Sequence, residues 1–316
     1  MKHTARQWMI PHEWMIKGNR QTEWIEKRGL ILWLAEYAGG LGAGAYIVSL
    51  FFNNFWGMVT AFLIVALLKG GLHMLFLGKP MRFWRMVTNP QTSWMSRGIM
   101  FVFLFCGFAF LQLLFMYFAP DQNTIIAVLA VISGIFALCI AFYTGFVMNS
   151  AKGVPFWNVR FLPVLFVADG ILGGFGLTVA FGIFMPEVIN MAAAETGSRI
   201  MLLMEVVLIV LYMYMASKKE GVGNQSVLFQ IRGSISPIFW TFVVALGIVV
   251  PIMIAVASLF TKELTPLILI IGVICEAIGQ LMFKYCFLKS GMYNPVISYE
   301  QLDRNANKKF IVSQVN

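Results

Sequence analysis

Apolar residues run without alternation for about twenty or more positions at a stretch, eight times along the chain: at 30–52, 56–78, 96–119, 124–148, 161–185, 199–217, 237–260 and 266–288. A helix needs roughly 20 such residues to cross a hydrocarbon core about 30 Å thick, so each run has the length of one membrane span. The alternating pattern that marks the strands of a membrane barrel does not occur in them. Short polar links join the runs, and polar stretches flank them at both ends. The expectation is an all-α integral membrane protein with eight transmembrane helices in two four-helix bundles. An amphipathic N-terminal arm covers 1–28, the first bundle 29–148, the second 149–288, and a polar tail 289–316.

Composition strengthens this reading. Of 316 residues, 59% are hydrophobic and 12% are charged, and the mean hydropathy is +0.80. A globule in water has too little interior to hide that much apolar surface. A soluble two-domain enzyme, a coiled coil and a disordered protein are therefore excluded.

Charge adds orientation. The net charge is +9, from 23 Lys and Arg against 14 Asp and Glu. An even number of spans puts both ends on one face, here called face A. Face A carries 19 of the basic residues, the opposite face B carries Arg199 and Lys262, and Lys69 and Lys284 lie within spans. The positive-inside rule makes face A cytoplasmic, with both termini in the cytoplasm and the chain in the inner membrane. Such an excess reads as topology in a lipid bilayer and argues against a nucleic-acid partner. Face A also holds the longer loops, so a protein partner is expected there. Lys79, Arg82, Trp84, Arg85 and Trp94 suit a docking ledge, and equally a belt at the lipid headgroups. Trp8, Trp14 and Trp24 read as interfacial anchors, and Arg97 and Arg199, which begin spans, as snorkelling groups.

Resident redox centres are not encoded. The four cysteines, Cys106, Cys139, Cys275 and Cys286, all fall in apolar runs without CxxC spacing, so neither a metal site nor an iron–sulfur cluster is expected. Of three histidines only His73 lies in a span, one short of a haem held between two.

Ionisable groups in hydrocarbon cost several kcal/mol and are functional suspects by default. They are Glu36, Lys69, His73, Asp169, Glu205, Glu276 and Lys284. At about 1.5 Å per residue, Glu36, His73, Tyr143 and Asp169 each fall roughly 7–12 Å below face A. They are expected to share one polar layer suited to a carbonyl-bearing, lipid-soluble substrate. Lys69, Glu205 and Glu276 read as deeper, and Glu276, Gln280 and Lys284 form an i, i+4, i+8 stripe on the last span. Lys69, Glu205, Glu276 and Lys284 are thus candidates for a proton relay, or for charge pairs such as Lys69 with Glu205 that fix packing. The first and fifth spans share a faint echo, an acid followed by a Gly-Gly pair: Glu36 with Gly39-Gly40, and Asp169 with Gly173-Gly174. The echo suggests two four-helix halves, spans one to four and five to eight, whereas close helix contact would explain the glycines alone.

Four stretches carry a resemblance. They are Glu36 to Gly44; Lys79-Pro80-Met81-Arg82-Phe83-Trp84 leading to Thr92-Ser93-Trp94; Tyr143-Thr144-Gly145 followed by Val154 to Asn158; and Ser198-Arg199-Ile200. In this order the sequence resembles the NrfD/PsrC family of membrane subunits of polysulfide-reductase-type oxidoreductases, over about 29–288. The resemblance implies two four-helix bundles and no cofactor held by the subunit itself. It also implies a quinone, menaquinone or ubiquinone, bound as substrate in the first bundle. A four-cluster ferredoxin-like iron–sulfur subunit would dock nearby and link to a catalytic subunit, typically a molybdopterin enzyme. Tyr143 matches the family's quinone-contacting tyrosine. The family's polar contacts at the start of the first span fall near Arg28 and Ile31. Ile31 cannot hydrogen-bond through its side chain, so Glu36 or His73 would substitute. In the best-known members the catalytic subunits are exported. The charge count instead places this face inside, as for members serving cytoplasmic enzymes such as acyl-CoA oxidoreductases.

The expectation is thus a membrane anchor and quinone-reactive subunit of a respiratory oxidoreductase, with quinone-site residues Tyr143, His73, Glu36, Asp169 and Arg28. The rival is a secondary transporter using Lys69, Glu205 and Glu276. Against it, Pro251 in the seventh span has no counterpart in the third. A purely structural anchor is a third reading.

Overall fold

The computed structural model describes residues 17–260 and 265–295. Trp8, Trp14, the tail beyond 295 and several counted basic residues (Lys2, Arg6, Lys262, Arg304, Lys308, Lys309) lie outside the described residues.

Among the described residues, eight helices are long and apolar enough to cross a membrane: Gly29–Phe51, Phe55–Phe76, Trp94–Phe118, Asn123–Asn149, Leu162–Phe184, Met191–Ser217, Ser236–Ser258 and Pro266–Lys289. They make an all-α, multi-pass membrane protein. Local chemistry sets their starts. Asn54 accepts from the Gly57 amide at 3.0 Å, Ser93 from Ser96 at 3.3 Å, and Asn190 from Ala193 at 3.1 Å, each satisfying an amide that the helix leaves orphaned. Pro163 and Pro266 sit in first turns, where a missing N–H costs nothing. The sixth span begins at Met191 rather than near 199. Glu195 and Thr196 lower the apolar density there, but the Asn190 cap and a Glu195–Arg199 pair at 2.5 Å support two further turns.

The first span packs on the second and fourth, and the third lies between those two. The fifth packs likewise on the sixth and eighth, with the seventh against the eighth. The first and fifth spans adjoin at the centre, and 67% and 61% of their apolar windows are buried, against 17–33% for the other six. Glycines make this contact possible. A Cβ on Gly44 would fall on the Gly170 carbonyl, and one on Gly174 would lie 2.6 Å from the Gly44 carbonyl carbon. Gly40-xxx-Gly44 thus lies along Gly170-xxx-Gly174, the small-residue arrangement that lets helix backbones touch in lipid.

Two spans are irregular. Ile64–Lys69 in the second and Phe239–Val249 in the seventh are π-helical. In the seventh, Pro251 lacks an amide proton and crowds the carbonyl four residues back, which is where an α-helical ladder has to rearrange.

The ends of the described region meet on face A. Asn19–Arg20 pairs antiparallel with Met292–Tyr293, and Lys289 reaches Glu26 at 2.5 Å. Trp24 packs edge-on to Trp157, ring centres 5.8 Å apart, so this tryptophan turns towards the protein. Pro80–Val87 forms a 3-10 segment and Gly223–Arg232 a short helix.

Candidate functional site

Two polar groups flank the first span at its glycine pair. On one side, Glu36 accepts a hydrogen bond from Thr144 Oγ1 at 2.6 Å, and its other oxygen lies 3.6 Å from His73 Nε2. His73 Nδ1 sits 3.0 Å from the Lys69 carbonyl one turn earlier. The Lys69 ammonium lies 4.8 Å from the centre of the Tyr143 ring. Glycines seat both: a Cβ on Gly39 would strike the Lys69 side chain, and one on Gly98 the Tyr143 ring. Glu36, Lys69 and Tyr143 are 8%, 2% and 6% exposed, whereas the His73 side chain is 28% exposed. The histidine is therefore the most exposed member of this cluster. Arg28, exposed at the rim, donates to the Leu75 carbonyl at 3.3 Å.

On the other side, Asp169 pairs with Lys284 at 2.6 Å, both almost wholly buried. Gln280 donates to the Asp169 carbonyl at 2.8 Å, and the Lys284 ammonium sits 4.2 Å from the Phe166 ring centre. A Cβ on Gly40 would lie 3.8 Å from Lys284 Nζ and 3.9 Å from Asp169 Oδ2. Consecutive glycines, Gly39 and Gly40, thus face the two groups in turn.

This geometry corrects two expectations. Asp169 faces Lys284 across from the first span, not His73 and Tyr143. Helix rotation, which depth does not reveal, decides this. Lys69 joins Tyr143 and Glu36 rather than Glu205 and Glu276, so neither the Lys69–Glu205 pair nor the three-residue transporter site is assembled. Glu205 and Glu276 instead line one small cavity together with Gln280. Among the described residues no three His, Cys, Asp or Glu side chains come together as metal ligands.

On face A, Lys79, Arg82, Trp84 and Arg85 are exposed, with Arg85 5.4 Å from the Trp84 ring centre. Trp94 is not part of that open surface. It stacks on Phe146 with centres 4.4 Å apart, and Arg97 covers it at 4.5 Å. Arg97 donates to the Pro90 and Gln91 carbonyls of the face-A loop, both at 2.6 Å. Arg199 is paired with Glu195 a turn inside its helix.

The polysulphide reductase NrfD family matches residues 28–295. The protein belongs to this family. It is similar to the polysulfide reductase C subunit of Wolinella succinogenes, 23% identical over 273 residues, covering 74% of this protein and 86% of that one. In this NrfD-family protein the stretch from Lys79 to Gly98 builds the face-A ledge, and its Ser93 caps the third span. Tyr143-Thr144-Gly145 serves three neighbours in a row. Tyr143 lies against Lys69, Thr144 bonds Glu36, and Gly145 lets Pro163 of the fifth span approach, since a Cβ would lie 2.8 Å from the Pro163 nitrogen.

Uncharged polar residues are what the reading of charges missed. Thr144 is one. Another set is Gln112, which accepts from Tyr46 at 2.8 Å and Ser133 at 2.6 Å. It forms a buried polar knot among the first, third and fourth spans, towards face B. A polar residue in an otherwise apolar run is the signal that would have found them.

Proposed function

We propose that this protein is the membrane subunit of a reductase complex and that a quinone exchanges electrons and protons at the Glu36, Lys69, His73 and Tyr143 group. Family membership supports the reductase complex. The observation that carries the site is the convergence of an acid, two bases and a phenol from three spans. They lie about 5–10 Å inside the helix ends of face A, the face that bears the basic ledge.

The residues fit a carbonyl-bearing head group. Lys69 Nζ is buried between Tyr143 and Glu36, and His73 Nε2 is both lipid-accessible and backed by Glu36. A quinone supplies two-electron chemistry that also takes up or releases two protons. At His73, Nε2 hands a proton to a carbonyl oxygen or receives one, and Glu36 balances the charge that appears on the ring. Thr144 fixes the Glu36 carboxylate so that its other oxygen stays on His73. Lys69 offers a fixed positive charge where negative charge develops on reduction. Tyr143 holds the Lys69 ammonium over its ring and offers its hydroxyl to one carbonyl of the head group. Arg28 stands at the mouth. Asp169, on the far side of the first span, acts on this site only through the helix between them. Electrons reach the site from an iron–sulfur subunit of four clusters docked on Lys79, Arg82, Trp84 and Arg85, and a molybdopterin subunit completes the complex. The basic count favours an inner-membrane location with face A in the cytoplasm.

The test is quinone turnover by the assembled complex carrying His73→Gln or Tyr143→Phe. His73→Gln removes the proton carrier and should lower turnover by at least tenfold. Tyr143→Phe deletes one hydroxyl, worth about 0.5–1.5 kcal/mol, and should lower it a few-fold to tenfold. Wild-type turnover in both variants, with assembly intact, would place the site elsewhere.

A further inference from the structure

The second polar group holds carboxyl chemistry that the Tyr143 site does not use. Glu205 on the sixth span and Glu276 on the eighth are each 5% exposed. Glu205 Oε2 and Glu276 Oε1 are buried with no hydrogen-bond partner. A carboxyl oxygen in such a place requires a proton, a water or a cation.

Two cavities meet at Glu276. One, of about 60 Å³, is bordered by Glu195, Ser198, Arg199, Pro251, Ser258 and Glu276. Its outer end lies at the Glu195–Arg199 pair, whose side chains are 23% and 31% exposed, near the face-B start of the sixth span. The other, of about 10 Å³, is bordered by Glu205, Glu276, Gln280 and Gly247 among apolar residues. Gln280 then bonds the Asp169 backbone, and Asp169 holds Lys284. Tyr37 of the first span donates to the Ala277 carbonyl at 3.2 Å alongside. The irregular seventh span walls both cavities, through Pro251 in the first and Val243 to Ile248 in the second.

We propose that the fifth to eighth spans enclose a proton path that opens on face B beside Arg199 and Glu195, passes Ser198 and Glu276, and ends at Glu205. This goes beyond the quinone reading and does not depend on it. Water fills the outer cavity and delivers a proton to Glu276, and Glu276 passes it to Glu205. Each transfer breaks one O–H bond and forms another, and no electrons move. A metal cation fits less well. A hard cation such as Ca²⁺ or Mg²⁺ takes about six or more oxygens, whereas the inner cavity holds about one water and offers two carboxyls and an amide. Gln280 stands between the inner cavity and the Asp169–Lys284 pair, bonding the Asp169 backbone carbonyl, so the path stops at Glu205 and that pair is a fixed charge couple beside its inner end.

The test uses the full-length protein in lipid vesicles, without quinone or partner, so its failure and that of the quinone reading are distinguishable. Ser198→Cys, with the unsubstituted protein as background, should react with a membrane-impermeant thiol reagent from face B and not from face A. Infrared spectra should show a protonated-carboxyl band that shifts in D2O. The band should weaken in Glu276→Gln and in Glu205→Gln, and persist in Glu276→Asp, which keeps the carboxyl if the amide variant misfolds. A cysteine that is unreactive from face B, or a band that ignores D2O or survives both amide variants, overturns the path. A band that responds to sodium at constant pH and not to D2O overturns the proton assignment.

Discussion

Replacing Asp169 by Asn removes one charge and almost no volume, so it isolates the electrostatics of the buried pair. In the native protein Lys284 Nζ lies 2.6 Å from Asp169 Oδ2, with side-chain exposures of 4% and 2%. After the change the ammonium keeps the Phe166 ring, 4.2 Å from its centre, the amide oxygen of the new Asn, and the more distant Glu205 carboxyl. Breaking a buried pair by removing one partner costs about 3–5 kcal/mol, because the other charge stays in low dielectric uncompensated. A cation over a desolvated ring recovers at most about 2 kcal/mol, and that contact already exists in the native state, so it offsets nothing new. The amide oxygen does accept one charge-assisted bond, which puts the expected loss near 3 kcal/mol, the lower end of that range. That is a factor of about a hundred in the folding equilibrium. The assay is denaturant or thermal unfolding of the detergent-solubilised full-length protein. Lys284→Met should cost a similar amount by stranding Asp169, and the double variant should be clearly more stable than either single one, since no unpaired charge remains. An Asp169→Asn protein within about 0.5 kcal/mol of wild type, or a double variant whose loss is the sum of the two, would refute the claim that these residues compensate each other.

The glycines supply a second contrast. Gly44→Ala would place a methyl on the Gly170 carbonyl and should destabilise the fold by more than about 2 kcal/mol. Gly107→Ala has nothing within 4 Å and should be neutral, or stabilising by up to about 1 kcal/mol, in the same unfolding assay. Orientation is open to reporter fusions at the C-terminus. A fluorescent reporter should be active and alkaline phosphatase silent, and the reverse result would put face A outside.

The spans themselves were legible in the sequence, because transfer into hydrocarbon is a property of each segment alone. Seven of the eight helices lie within about two residues of the apolar runs, and the sixth started early only because a cap and an ion pair act locally where hydropathy is weak. The presence of ionisable groups inside the spans was legible as well, since each interrupts an apolar run. What faces a charge was not. Asp169 turns to Lys284 and Tyr143 to Lys69, which reads from the sequence as deeper, with Glu205 and Glu276, and that depends on which helices adjoin and how each is rotated about its axis. The rotation is set by contacts between residues far apart in the sequence, above all Gly40 and Gly44 against Gly170 and Gly174. The echo of acid and glycines in the first and fifth spans points to two four-helix halves, not to a contact between those two helices. It could not show that the glycines meet each other while the two acids turn to different partners. The π-helical stretches at Ile64–Lys69 and Phe239–Val249 were equally hidden. An extra residue in a turn leaves the apolar run unbroken, and only packing in three dimensions makes the wider turn the more stable one.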